Sequence, residues 1–179
     1  MRIERFFTYY ALRTTFYESL WRKTNDTNYF LDTSALVKRY VYETGSDWIQ
    51  LITTPQESNT LIIARITWVE MLSALARLQR EGNISQKNVE AFIKTLQYAF
   101  DMQYQIVEFD ASLAEEAGRL VQQYPLRAYD SVQLASAIKI QTALAGFQNV
   151  SYTFVSDDNR LLNVAKITGL SVINPNDFP

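Results

Sequence analysis

The chain has 179 residues, of which 47% are apolar and 20% are charged, and these values suit a single globular domain with its own core. It contains no cysteine and no histidine, which excludes disulfides, thiolate and imidazole metal ligands, and cysteine or histidine catalysis. The net charge of −2 counts against a nucleic-acid ligand held by bulk charge, so such a ligand would need a local basic patch. No apolar run approaches the ~18–20 residues of a membrane span and the start lacks the pattern of a secretory signal, so we expect a cytoplasmic protein.

The first 27 residues differ in pattern from the rest. Their apolar residues fall at helical spacing: Ile3, Phe6, Phe7, Tyr10, Phe16, Tyr17, Leu20 and Trp21. A turn-rich break, TNDTN, follows at 24–28. The pattern predicts an N-terminal helical extension over 1–27, of one or two helices, and a main domain over 28–179.

Short apolar runs alternate with helical patterns along the main domain. The predicted strands are 29–31, 61–64, 104–109, 152–155 and 170–173. The predicted helices are 34–40, 43–52, 67–80, 85–100, 110–124, 128–143 and 159–166. Thr67 and Asp110 are expected to cap the helices that they begin, and Ser85 is expected to begin another. This alternation predicts an α/β fold with a mostly parallel five-stranded sheet covered on both faces, a three-layer α/β/α sandwich.

Acidic residues follow the ends of the predicted strands. Asp32 comes directly after the first strand, and Asp157 and Asp158 come directly after the fourth. Glu70 and Asp130 fall in the first turns of two helices. Because ligands of open parallel sheets bind beyond the carboxyl ends of the strands, these carboxylates are expected to converge. Clustered carboxylates repel one another, and with oxygen ligands alone they favour Mg²⁺ or Mn²⁺ over zinc.

Each of these acids also has a purely structural interpretation. An acid at a helix start caps free N–H groups and offsets the helix dipole, which would suit Asp32, Glu70 or Asp130 taken singly. The pair Asp157–Asp158 could equally form a turn that ends a strand.

Four segments in order resemble the motifs of PIN domains. They are YFLDTSALVK (29–38), ITWVE followed by LSAL (66–75), LRAYDSVQLASA (126–137) and FVSDDNRL (154–161). The ending VINP (172–175) is similar as well, so the resemblance covers about 28–176 and leaves 1–27 without a counterpart. Within the family, the chain looks like the VapC-like toxins of type II toxin–antitoxin modules. That resemblance implies a metal-dependent ribonuclease, held inactive by a cognate antitoxin, and a homodimer.

The resemblance also implies the site residues. The family's first three acids fall on Asp32, Glu70 and Asp130, and the fourth falls on Asp158 with Asp157 as the alternative. These four are the expected catalytic residues and the expected ligands of Mg²⁺ or Mn²⁺, bound as one ion or two. Glu70 is either a ligand or the group that orients the attacking water.

Further residues are candidates for support or for substrate contact. Thr33 and Ser156 are expected to hydrogen-bond a ligand carboxylate or the water. Contacts to phosphate are expected from basic residues near the motifs, with a solvated helix face as the alternative: Arg127, Arg160, Lys38 and Arg39. The predicted dimer contact lies on the helices around 34–54 and 67–100, where aromatic residues are frequent: Tyr40, Tyr42, Trp48 and Trp68.

Two other functions stay open at this point. A catalytically inactive module could keep the acids and bind RNA or a protein partner. Alternatively, Asp32 could be the nucleophile of a phosphohydrolase. This is the weaker reading, because the second Asp two residues on that haloacid-dehalogenase-type enzymes use is missing and so is a Gly-Lys phosphate loop.

Overall fold

The computed structural model describes residues 27–54 and 57–178, so the helices predicted within 1–27 lie outside the described residues. The strands are β1 (Thr27–Leu31), β2 (Thr60–Ala64), β3 (Gln105–Val107), β4 (Ser151–Val155) and β5 (Val172–Ile173). The helices are α1 (Thr33–Val37), α2 (Ser46–Ile52), α3 (Ile66–Arg80), α4 (Gln86–Met102), α5 (Ala111–Gln123), α6 (Ala128–Leu144) and α7 (Asn159–Ile167). A 3-10 turn follows at Pro175–Asp177. Among these helices none has the length and apolar character needed to cross a membrane.

The five strands form one parallel sheet in the order β3-β2-β1-β4-β5. β1 lies at the centre, so the chain builds outward on one side through β2 and β3 and then on the other through β4 and β5. The strand order therefore reverses between β1 and β4, at the position where open sheets of this kind bind ligands. The backbone N–H of Asp32 donates to the carbonyl of Val155 at 2.9 Å, which places Asp32 at that junction.

Successive residues of the central strands face opposite sides of the sheet, as strand geometry requires. Phe30, Ile62 and Phe154 are fully buried on the face that α5, α6 and α7 cover. Leu31, Ile63 and Val155 are fully buried on the other face, under α1 to α4. The sheet thus carries an apolar layer on both sides, and the predicted three-layer α/β/α sandwich is confirmed.

Some element ends differ from the prediction. β3 and β5 are shorter than predicted because each is an edge strand that pairs on one side only. α1 ends at Val37 rather than at residue 40, and α2 begins at Ser46 rather than at 43. Gly45 adopts a φ of +84°, and a Cβ placed there would lie 2.5 Å from the carbonyl oxygen of Pro175. That close approach fixes the start of α2 at this glycine.

Of the two predicted helix caps, that of Asp110 is confirmed, and Ser85 also caps the helix that it was expected to begin. Ser85 accepts a hydrogen bond from the backbone N–H of Asn88, and Asp110 accepts one from that of Leu113. The prediction for Thr67 is wrong: α3 begins one residue earlier, and Thr67 is fully buried within it.

Three of the four aromatic residues expected at a dimer contact pack within the domain. Trp48 stacks on Phe178, with ring centroids 4.9 Å apart. Tyr40 packs edge-on against Phe92, and Trp68 packs edge-on against Phe100. The fourth, Tyr42, is 75% exposed and remains available for a partner.

Candidate active site

Asp32 occupies the centre of the site, at the carboxyl end of β1. Its side chain is almost fully buried, and its Oδ2 accepts hydrogen bonds from the hydroxyls of Ser34 at 2.7 Å and Ser156 at 2.9 Å. Although Asp32 precedes α1, its carboxylate makes no capping hydrogen bond to that helix. The capping interpretation is therefore wrong for Asp32.

The surroundings of Asp32 disfavour its negative charge. Burial raises the pKa of Asp32 to about 6, even though the hydroxyls of Ser34 and Ser156 act to lower it. Like-charge repulsion from the nearby carboxylate of Glu70 also contributes to this raised pKa. A carboxylate in this state lacks compensating positive charge, which a bound cation would supply.

Glu70 projects towards the same place from the second turn of α3 and not from the first turn as predicted, because the helix begins at Ile66. Its Oε2 accepts from the hydroxyl of Thr33 at 2.5 Å and from the amide of Gln133 at 2.7 Å. The Gln133 amide nitrogen also lies 2.9 Å from Oγ1 of Thr33 and 3.0 Å from Oγ1 of Thr67. One oxygen of Glu70 is thus fixed by the protein, while Oε1 has no hydrogen-bonding donor among the described residues.

Asp158 and Asp130 form a second acidic pair. Asp158 caps α7, because its Oδ1 accepts from the backbone N–H groups of Arg160 at 2.8 Å and Leu161 at 3.2 Å. Asp130 lies in the first turn of α6 and accepts from the backbone N–H of Arg127 at 3.3 Å. The guanidinium of Arg160 bridges the two acids, at 2.8 Å from Oδ2 of Asp130 and 3.2 Å from Oδ2 of Asp158.

Asp157 has a different partner from its neighbour in the chain. Its carboxylate forms an ion pair with Lys38 at 3.1 Å, and its backbone N–H donates to the hydroxyl of Ser34. Lys38 is buried and also pairs with Glu43 at 3.0 Å. Because a buried ammonium with two carboxylate partners is not presented to a ligand, the prediction that Lys38 contacts phosphate is wrong.

The other predicted basic residues lie in different settings. The guanidinium of Arg39 donates to the hydroxyl of Tyr104 and lies 5.6 Å from the centroid of its ring. Arg127 is exposed at the start of α6, one turn of helix from Asp130. Arg127 and Arg160 are therefore the two predicted arginines at the edge of the acidic site.

The predicted constellation of four acids is divided into two pairs. Ser156 connects them, since its hydroxyl donates to Asp32 and accepts from the backbone N–H of Asp158 at 3.1 Å. In the part of the chain that the structure describes, no group of three or more acidic side chains is close enough to hold a single ion. The geometry therefore presents Asp32 with Glu70, and Asp130 with Asp158.

These donors fit a hard divalent cation. All are carboxylate oxygens, which Mg²⁺ and Mn²⁺ prefer. Mg²⁺ in particular keeps several waters and is commonly held by only one or two protein carboxylates together with substrate phosphate. The uncompensated charge at Asp32 and Glu70 is consistent with such a ligand.

Two residues that hold the acids escaped the sequence analysis. Gln133 is almost fully buried among mostly apolar residues of α6, and a long polar side chain at such a position was the available signal. Ser34 was detectable only from its position two residues after Asp32. Its hydroxyl donates to Asp32 and accepts from the backbone of Asp157.

Comparison with known structures finds the same fold in bacterial proteins. FitAcB from Neisseria gonorrhoeae aligns with a TM-score of 0.59 and 17% identity, over 82% of this chain and 97% of that chain. VapBC2 from Rickettsia felis, bound to a DNA fragment from their promoter, gives 0.54 and 17%, over 83% and 98%. A toxin–antitoxin complex from Klebsiella pneumoniae gives 0.51 and 18%, over 82% and 96%.

Comparison with sequences gives the family. No curated protein sequence matches the chain. The family model for the PIN domain matches residues 29–167, a range that includes Asp32, Glu70, Asp130 and Asp158. Since the match spans most of the chain and the fold agrees, this chain belongs to the PIN domain family.

Proposed function

We propose that this PIN domain is a Mg²⁺-dependent endoribonuclease, with Mn²⁺ as an alternative ion, and the toxin component of a type II toxin–antitoxin module in the cytoplasm. The observation that carries the proposal is the buried Asp32 carboxylate beside Glu70, at the point where the strand order reverses. Repelling carboxylates held at that point favour a bound cation, and phosphodiester hydrolysis is the chemistry that such an ion promotes.

Metal would be held by the two acidic pairs, Asp32 with Glu70 and Asp130 with Asp158, directly or through water. When bound, a divalent ion lowers the pKa of a coordinated water and neutralises charge on the phosphate. Asp158 is favoured over Asp157 as the fourth acid, because the carboxylate of Asp157 is paired with the buried Lys38.

The protein's own groups position the acids. Ser34 and Ser156 both hold Oδ2 of Asp32, which fixes the orientation of that carboxylate. Thr33 and Gln133 hold Oε2 of Glu70, so Oε1 can accept a hydrogen bond from the attacking water and orient it. The exposed Arg127 offers positive charge to the phosphate of the substrate. This local charge offers RNA a point of attachment that the net charge of the chain does not.

The proposed protein partners are a cognate antitoxin and a second copy of the chain. Two of the structures with this fold are named as a toxin–antitoxin complex and as VapBC2 on promoter DNA. An antitoxin that covers the acidic site would block access of RNA. Exposed apolar side chains on α3 and α4, including Val69 and Tyr98, would form the contact between the two copies.

The test is RNA cleavage by the purified full chain. We expect cleavage in Mg²⁺ or Mn²⁺ that stops with a chelator, and we expect Asp32→Asn to lose most of it while keeping the fold. Asp47→Asn is the matched control, because Asp47 is an exposed acid on α2 whose carboxylate accepts from the hydroxyl of Tyr42 and from no residue of the site. Full cleavage by the Asp32→Asn protein would show that the activity arises elsewhere.

One observation favours a second candidate, a catalytically inactive module that binds RNA or protein. Arg160 already neutralises Asp130 and Asp158, as it would in a site that has no need of metal. This candidate requires stoichiometric RNA binding in Mg²⁺ without cleavage. Binding titrations and gel assays on the same samples separate the two functions.

A further inference from the structure

Arg160 contacts one carboxylate oxygen on each of Asp158 and Asp130, two of the acids that would hold a metal ion. Oδ1 of Asp158 is occupied by the N–H groups at the start of α7, and Arg160 takes the remaining oxygen, Oδ2. At Asp130 the guanidinium contacts Oδ2 as well, where the backbone N–H of Arg127 also donates. One side chain therefore bridges both members of the second acidic pair.

A guanidinium and a divalent cation cannot both occupy these oxygens without strong like-charge repulsion. The arginine side chain is 42% exposed, and ion pairs this accessible to solvent are weak, so Arg160 can leave the acids at small cost. The nearby pair of Lys38 and Asp157 differs in this respect, because the lysine side chain is only 3% exposed and has a second acidic partner. Among these ion pairs, the Arg160 bridge is the one suited to displacement.

We propose that Arg160 is a built-in competitor of the metal ion: it neutralises Asp130 and Asp158 in the metal-free protein, and divalent cations must displace it to bind there. The inference rests on the proposed metal-dependent function and adds a positioning residue that sets the affinity of the site for metal. Because RNA takes no part in this competition, metal binding to the protein alone is enough to measure it.

The experiment titrates Mn²⁺ into the full chain without RNA and follows free Mn²⁺ by electron paramagnetic resonance. We expect Arg160→Gln to lower the Kd for Mn²⁺ by roughly three- to tenfold, the scale of two partly exposed ion pairs. Arg127→Gln is the matched control, since it removes the same charge from an exposed arginine at the same edge of the site. We expect it to change the Kd by less than about twofold, because exposed charges without direct contact are screened.

Two further variants test the contact itself. Arg160 contacts both carboxylates through one guanidinium nitrogen, and Arg160→Lys keeps the charge on a shorter side chain with a different geometry, so it should give an intermediate Kd. In an Asp130→Asn background the effect of Arg160→Gln should shrink, because the variants share a partner. Thermal melts establish that each protein is folded.

The outcomes separate this inference from the proposed function. If Arg160→Gln leaves the Kd for Mn²⁺ unchanged or raises it, while RNA cleavage in Mg²⁺ is intact, Arg160 does not compete with the metal. The proposed nuclease function is then unaffected. If the Kd for Mn²⁺ falls as expected but no RNA is cleaved, the competition is supported and the proposed nuclease function is wrong. If none of the proteins binds Mn²⁺, both proposals fall.

Discussion

Asp32 and Asp130 carry the same carboxylate in opposite electrostatic surroundings. Asp32 is buried beside Glu70 and has no positively charged partner among the described residues, so burial and the repulsion from Glu70 raise its pKa to about 6. Asp130 is paired with the guanidinium of Arg160 at 2.8 Å. Removing the charge should therefore have opposite effects at the two positions.

We predict that Asp32→Asn stabilises the metal-free protein and that Asp130→Asn does not. An acid whose folded pKa lies above its unfolded value of about 4 binds its proton more tightly when folded, so its contribution to stability is lost as the pH rises from about 4 to 6. At pH 7 the Asp32→Asn protein should gain on the order of 3 kcal/mol in free energy of unfolding. Urea unfolding with chelator between pH 4 and 8 tests this, and a loss of stability at every pH would give Asp32 a structural role instead.

The side chain of Gln133 helps to position Glu70. Its amide holds Oε2 of Glu70, and Gln133→Met keeps a similar volume while removing that donor. We predict that cleavage falls by about 10–100-fold, the usual scale for loss of a group that orients a ligand or a base. Gln141→Met on the same helix is the control, because that amide donates to the carbonyl of Gly169 away from the acids. Equal rates for the two variants would contradict a positioning role for Gln133.

At the scale of elements, the cap of α5 offers a test that is independent of the site. Hydrogen bonds from the Ser112 hydroxyl and the Leu113 N–H, aided by Lys139, lower the pKa of Asp110 to about 2. Its charged form therefore contributes stability above the unfolded pKa of about 4, and this is lost as the pH falls towards 2.

We predict that Asp110→Ala lowers the free energy of unfolding at pH 7 by about 1 kcal/mol, the usual cost of losing an N-cap. Asp110→Asn should keep the cap and lose the pH dependence between about 4 and 2. Urea unfolding across this range checks both variants against the wild type. RNA cleavage at pH 7 should stay unchanged, because Asp110 lies outside the acidic pairs.

The sequence predicts some secondary-structure elements better than others. The buried strands β1, β2 and β4 were predictable because their apolar runs belong to the sheet interior, where local pattern and tertiary packing agree. Edge strands and helix starts were less predictable from the sequence. The start of α2, for example, depends on the contact of Gly45 with Pro175, which is far away in sequence.

The site was likewise predictable only in part. The order of the motifs places the acids at one edge of the sheet, but their arrangement in two pairs depends on side-chain partners. Arg160 was expected to contact phosphate, whereas it bridges Asp130 and Asp158. Nothing local in the sequence specifies that bridge, because it joins the starts of α6 and α7.

At the scale of the whole molecule, assembly is the first question. Val69 and Tyr98 expose 48% and 62% of their surface on α3 and α4, within the predicted dimer contact. We predict a dimeric mass by light scattering at micromolar concentration and a shift towards monomer in Tyr98→Asp, because a charge in an apolar contact is costly. Ile167→Asp is the control, since Ile167 is 69% exposed on α7, outside that contact. A monomeric mass for the wild type would refute the homodimer.

The start of β1 gives a testable boundary for the domain. β1 begins at Thr27, which lies beside Ser151 of β4, and the family match begins at residue 29. A chain that starts at Thr27 retains all five strands of the sheet and the four acids. We therefore predict that it folds, keeps its metal-dependent cleavage of RNA and melts within a few degrees of the full chain, as expected if residues 1–26 are an accessory segment. Circular dichroism and the cleavage assay, run on both proteins at matched concentration, decide this. Because the aromatic residues of 1–26 could instead complete the core, an unfolded or strongly destabilised product would place that segment inside the domain and move the boundary to the start of the chain.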